Sequence, residues 1–237
     1  MEELQGFARR LFSLLTAGVL AASSIGARAQ TPPSPADIAA YSGLHAAVAG
    51  GSVSEVELVL RESADINARD ALGRTPLMVA VYRRDLAVAE ALVRSGANVN
   101  ALEHQSYDAL TIAAVQNDKQ MLDLLIRAGG NTRAITSPYG GTALIAAAHL
   151  GNVEAVETLA AARAPLDHVN RLGMTALIEA IVLGDGGARH QAVVAVLIAA
   201  GADVNLPNNQ GTRPYALALD KGYTAIAKLL EQAGATP

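Results

Sequence analysis

The sequence predicts an all-α repeat solenoid of about six helix-turn-helix units, on three observations. Ser42, Thr75, Asp108, Thr142, Thr175 and Arg213 open matching stretches at spacings of 33, 33, 34, 33 and 38 residues. Three of these stretches begin alike, as Thr75-Pro76-Leu77, Thr142-Ala143-Leu144 and Thr175-Ala176-Leu177, and 21 to 26 residues later a Gly-Ala-Asp-Val-Asn type of tail follows. The tails read Ser63-Ala64-Asp65-Ile66-Asn67, Gly96-Ala97-Asn98-Val99-Asn100, Gly129-Gly130-Asn131, Arg163-Ala164-Pro165-Leu166-Asp167 and Gly201-Ala202-Asp203-Val204-Asn205. Self-similarity at this period marks supersecondary units that bury their apolar faces only by stacking.

Residues 1–29 stand apart. Arg9 and Arg10 precede an apolar stretch from Leu11 to about Ile25, closed by Ala27-Arg28-Ala29, the layout of a secretory signal peptide cleaved after Ala29. The run is broken by Ser13, Thr16, Gly18, Ser23 and Ser24 and falls short of the roughly 20 apolar residues of a membrane span. Arg9-Arg10-Leu11-Phe12 also resembles a twin-arginine core, although Glu2 and Glu3 weaken the positive start, so the general secretory route is favoured and the twin-arginine route stays open. A Pro-rich linker is expected over 30–36 and the repeat domain over 37–237.

Within each unit the elements follow from residue chemistry. The anchor threonine can accept a hydrogen bond from a first-turn amide, and Pro76 at the first helical position gives up no useful donor. Nine residues on stand Gly51, Arg84, Asn117, Gly151, Gly184 and Gly222, mostly residues that accept the left-handed turn ending helix one. Helix two carries a one-sided apolar stripe, as in Val88, Ala91 and Leu92, or Leu122, Leu125 and Ile126. Ala80, Ala113, Ala114, Ala146 and Ala147 let neighbouring pairs approach closely. The units are expected at about 40–72, 73–105, 106–139, 140–172, 173–210 and 211–237, with the Asp185 to Gln191 insertion as a longer turn between helices. Lys221, Lys228, Glu231 and Gln232 suit a solvated C-terminal cap.

On period, Thr-Pro-Leu opening, mid-unit glycine and tail together, the sequence resembles the ankyrin repeat family over about Asp37 to Gly234. The departures are Asp108 and Arg213 in place of the capping threonine, the shortened third tail and the insertion in unit five. The resemblance implies a stem of helix pairs with projecting β-hairpin fingers, and protein ligands held on the concave face formed by finger tips and the exposed end of helix one.

Composition excludes much chemistry. The 237-residue chain has 51% apolar and 17% charged residues, a net charge of -4 and no cysteine, which removes disulfides, Cys-ligated metal and thiol nucleophiles. A mildly acidic balance disfavours nucleic acid as a partner. Loss of the leader would remove two acidic and three basic residues, leaving -5, and a cysteine-free exported chain fits a bacterial periplasm. No H-E-x-x-H, G-x-S-x-G, Walker or dinucleotide motif occurs. His45 occupies a structural turn position; His104, His168 and His190 are expected in hairpins or the insertion, and His149 at a helix end, with no pair spaced to hold a metal. Asp65, Asn98 and Asp203 are explained as hairpin residues bonding their own backbone. Neither an enzyme nor a cofactor is expected.

Register along the resemblance places a binding centre over units two to four. It consists of Tyr82, Tyr107 and Tyr139 with Arg69, Arg74, Arg83 and His104 around them, and Gln105, Gln116, His149 and Arg171 are further candidate binding residues. Tyrosine and arginine are the residue types most enriched at interface hot spots. The expected function is a monomeric, non-enzymatic periplasmic module that binds another exported protein. The alternative is a small-molecule or lipid binder using an apolar groove around Leu150, Leu172, Val182 and Leu183.

Overall fold

The computed structural model describes residues 31–236, and the signal peptide expected over 1–29 lies outside them. Thirteen helices occur among the described residues: a short α1 (Pro35–Ala40) and then six pairs. The pairs are α2 (Gly43–Gly50) with α3 (Val53–Arg61), α4 (Pro76–Tyr82) with α5 (Leu86–Arg94), and α6 (Ala109–Val115) with α7 (Lys119–Arg127). They continue as α8 (Ala143–His149) with α9 (Val153–Ala161), α10 (Ala176–Val182) with α11 (Ala188–Ala199), and α12 (Pro214–Asp220) with α13 (Thr224–Gln232). First helices stack on first helices and second on second, so each pair touches only its neighbours.

The local chemistry follows the sequence reading. Thr75, Thr142 and Thr175 cap α4, α8 and α10, accepting from the Met78, Ile145 and Ile178 amides. Ala47, Ala80, Ala113, Ala147, Ala180 and Ala218 form one row along the first helices, each no more than 1% exposed. A larger side chain there would wedge adjacent helices apart. Leu44, Leu77, Leu110, Leu144 and Leu177 fill the row beside it. The tails bond their own backbone as expected, the Asn67, Asn100 and Asn205 amides donating to Asp65, Asn98 and Asp203. They also link units: the Asn98, Asn131, Asp203 and Thr236 amides donate to Asn67, Asn100, Asp167 and Asn205 at 2.8–2.9 Å.

Three features differ from the sequence expectation. First, the fingers contain no regular strand among the described residues. Each is closed by two backbone bonds, such as the Asp70 amide to the Arg74 carbonyl and the Gly73 amide to the Asp70 carbonyl, before the next helix begins. Second, the insertion lengthens a helix more than a turn: α11 has 12 residues where the other second helices have 9. His190 lies at its start, 5% exposed, between Asp185 Oδ1 at 2.8 Å and the His149 carbonyl at 3.0 Å. The left-handed residue moves with the insertion from position 184 to Gly186, at φ 69. A Cβ on Gly184 would still meet the Ala180 carbonyl at 2.1 Å and the His190 ring at 2.6 Å. Third, α1 starts inside the expected linker because Ser34 and Asp37 form a capping box around Pro35.

Asp108 caps α6 in place of threonine, accepting the Thr111 amide at 2.7 Å while only 1% exposed. Burial raises its pKa, and the Thr111 hydrogen bonds offset only part of that. A carboxyl raised in the folded state contributes most below its unfolded value near 3.9 and loses that contribution as pH rises through the folded value. Asp108→Thr is therefore expected to stabilise the protein by about 1 kcal/mol at neutral pH, with the gain shrinking below pH 4. Urea unfolding of both forms at the two pH values measures this.

Candidate interaction face

The fingers are built to hold a fixed shape. Asp70 Oδ1 accepts the Leu72 and Arg74 amides, and Asn170 Oδ1 accepts the Leu172 and Met174 amides. Consecutive fingers touch through backbone bonds, the His104 amide to the Leu72 carbonyl at 3.0 Å and the Arg171 amide to the Tyr139 carbonyl at 2.8 Å. Gly73, at φ 78, makes the first approach possible, since a Cβ there would meet the His104 ring at 2.5 Å.

The structure divides the expected binding residues. Arg83, His104 and Gln105 are exposed. Arg69 and Arg171 are exposed too, but their guanidinium groups are fixed on carbonyls: Arg69 Nη1 on Gly73 at 2.9 Å and Leu102 at 2.5 Å, Arg171 Nη1 on Pro138 at 3.1 Å. Carbonyls do not cancel the charge, so these cations are held in place with little side-chain entropy left to lose on binding. Tyr82 and Tyr139 are half-buried, and burial raises the Tyr82 pKa, with Glu103 adding to it. Gln116 is half-buried and donates to the Tyr82 carbonyl at 3.0 Å. Arg84 Nη2 donates to the Gln116 carbonyl at 2.6 Å.

Two residues are corrected. Arg74 is 2% exposed and supports the fold instead of presenting a charge: Nε meets Asp70 Oδ2 at 2.6 Å and Nη2 meets Asp37 Oδ2 at 3.0 Å. Tyr41 donates to the same Asp70 oxygen at 2.8 Å, and His45 Nε2 contacts the Arg74 carbonyl at 3.0 Å. Tyr107 is 5% exposed, its hydroxyl pushed up to about 12 by burial, with Tyr139 and Glu103 adding to the shift. Both follow the turn of their finger, immediately before the residue that caps the next helix.

His149 reveals a partner that sequence reasoning missed. Its Nδ1 lies 3.0 Å from Glu179 Oε2, while Asn170 Nδ2 donates to Glu179 Oε1 at 2.8 Å. Glu179 is 4% exposed. The available signal was a broken row: equivalent positions carry Ala46, Val79, Ile112, Ala146 and Leu217.

Exposed apolar side chains concentrate on the fingers, at Leu72, Leu102, Ile135, Val169 and Leu172, each 38–57% exposed. In the groove of the alternative reading Leu150 is 38% exposed, while Val182 and Leu183 are half-buried. Among the described residues no His, Asp and Glu cluster is arranged to hold a metal ion, and no helix is long and apolar enough to cross a membrane.

A stack of short helix pairs with rigid fingers, exposing apolar and cationic groups along one side, defines a repeat solenoid of the recognition type. The chain belongs to the ankyrin repeat family: the family model described as "Ankyrin repeats (3 copies)" matches residues 21–103 and 110–208. A curated relative from Escherichia coli (strain K12), the ankyrin repeat protein YahD, is 41% identical over 98 residues, which are 41% of this chain and 49% of the relative. The chain thus spans about half the length of that relative. Among solved structures, an ankyrin repeat domain from Acinetobacter baumannii AYE matches with TM-score 0.78 and 41% identity, covering 81% of this chain and 98% of that one. The ankyrin repeat domain of Bcl-3, of the IkappaB protein family, matches with TM-score 0.73 and 26% identity over 83% and 87% of the two chains. The fold is an all-α ankyrin repeat solenoid. Ankyrin repeats mark a protein–protein interaction module, and proteins built from them are generally non-enzymatic scaffolds.

Proposed function

We propose that this protein is an exported, non-enzymatic adaptor that binds another exported protein through the face made by its fingers and the ends of its first helices. One observation carries the reading: exposed apolar side chains recur on the four fingers that lead into α4, α6, α8 and α10, beside arginines whose guanidinium groups are already fixed. Pre-positioned cations and exposed apolar area together favour a polypeptide with acidic and apolar side chains. The leader sequence supports a periplasmic location.

The test is in-cell crosslinking of tagged protein expressed with its own residues 1–29, beside an Arg83→Ala, His104→Ala, Gln105→Ala variant. All three side chains are exposed, so the variant is expected to keep its melting temperature. A partner captured by the native chain from the periplasm, and reduced at least tenfold in the variant, is the expected result. Absence of any enriched protein, or a chain that keeps residues 1–29 and stays in the cytoplasm, overturns the proposal.

A further inference from the structure

Arg69, Leu102, Ile135 and Val169 occupy one position in four consecutive units, at sequence intervals of 33, 33 and 34. All four are exposed, with Ile135 the most open of the apolar three at 57%. The Arg69 guanidinium on the Leu102 carbonyl shows that the row is continuous at its start. Beyond Val169 the equivalent position is Pro207. The row is therefore a strip of three apolar side chains with an exposed arginine at each end, Arg69 at its start and Arg171 two residues past Val169.

The spacing of the strip selects its occupant. Each finger contributes two passes of chain, and where consecutive fingers bond through their backbones, the His104 amide to Leu72 and the Arg171 amide to Tyr139, passes lie about 4.8 Å apart, so equivalent residues recur about every 10 Å. Stacked helices set the same repeat, with axes about 8–10 Å apart. An extended segment rises about 3.3 Å per residue and needs about three residues per unit, an odd step that turns alternate side chains away from the strip. An α-helix rises about 1.5 Å per residue and needs about seven, which is two turns and returns the side chain to the same face.

Resting on the protein-binding reading above, we propose that the finger strip receives an amphipathic α-helix of the partner, laid along the stack. Its apolar side chains recur at seven-residue intervals over Leu102, Ile135 and Val169, and its acidic ends lie over Arg69 and Arg171. The helix spans about 20 residues, because three unit intervals cover about 30 Å.

The test uses fluorescence anisotropy with three synthetic 22-residue peptides. One has leucines at seven-residue intervals and glutamates at both ends; the second has the same composition with leucines five apart; the third carries lysines in place of the glutamates. The first is expected to bind at least tenfold tighter than either other, and Ile135→Asp, checked for an unchanged melting temperature, is expected to lose that advantage. Equal binding of the three, including no measurable binding by any, overturns the helical occupant. The two proposals fail separately: a partner captured in cells while the seven-residue peptide shows no advantage overturns the helix alone, and no captured partner overturns the adaptor reading on which it rests.

Discussion

Arg74→Ala destabilises the first unit by about 3–5 kcal/mol, the usual cost of leaving a buried charge without its partner. The side chains of Arg74 and Asp70 are only 2% and 5% exposed, and removing the guanidinium strands the Asp70 carboxylate beneath Tyr41. The same change releases Asp37, and with it the tie that holds α1 against the stack. Because each unit is stabilised by its neighbours, the loss stays at the N-terminal end. Hydrogen exchange is expected to show α1 to α3 opening at least a hundredfold more often, with α8 to α13 unchanged. Arg74→Lys keeps one cation without the fork that reaches two carboxylates, and falls between the two forms. Uniform destabilisation along the whole chain, or none, would contradict this account.

The pH dependence of this cluster has a definite sign. Burial pushes the Asp70 carboxyl up, but the Arg74 side chain, the Arg74 and Leu72 amides and the Tyr41 hydroxyl together bring it below the usual value. The Ser34 amide, followed by Arg74, lowers Asp37 as well. Carboxyls lowered in the folded state contribute stability above their unfolded value near 3.9 and lose it as pH falls through the folded value. The native protein is therefore expected to lose the N-terminal cap below about pH 4, and Arg74→Ala to lose most of that acid sensitivity.

Glu179→Ala is the second large effect, at about 3 kcal/mol, because it leaves the Asn170 amide and the His149 ring nitrogen without their acceptor. The consequence reaches the finger between α9 and α10 through Asn170, whose other side-chain atom holds the Leu172 and Met174 amides. Those two amides are expected to exchange faster, and the Tyr139 carbonyl to lose its bond from Arg171. Glu179→Gln keeps shape and an acceptor oxygen and costs about 1 kcal/mol. Thermal unfolding with amide-resolved exchange separates the two, and faster exchange restricted to α10 would show that the carboxylate does not hold the finger.

Much of the fold was legible because its signals are local and repeated. A threonine capping an amide three residues on, a left-handed residue nine positions after the anchor, and an alanine row at a fixed place in each first helix need only their own unit to be read. Repetition made each signal verifiable several times within one chain. The site was less legible. Arg83, His104 and Gln105 came out exposed, while Arg74 and Tyr107, chosen by the same register, came out buried. Residue type and position define a face, but burial depends on what the preceding unit offers. Asp37 and Tyr41 supplied neighbours for the Asp70–Arg74 pair from 29 to 37 positions away.

The sequence by itself determined the period, the helix ends, the close-packing rows and the absence of thiol chemistry. Only the tertiary structure decided that the insertion extends α11, that Glu179 joins His149 to the finger between α9 and α10, and that Arg69, Leu102, Ile135 and Val169 are all exposed along one strip. The physical reason is range. Helix caps and turns are settled within about ten residues along the chain, whereas a side chain's burial and partners in a stacked repeat are settled by the next unit, 28 to 41 residues away.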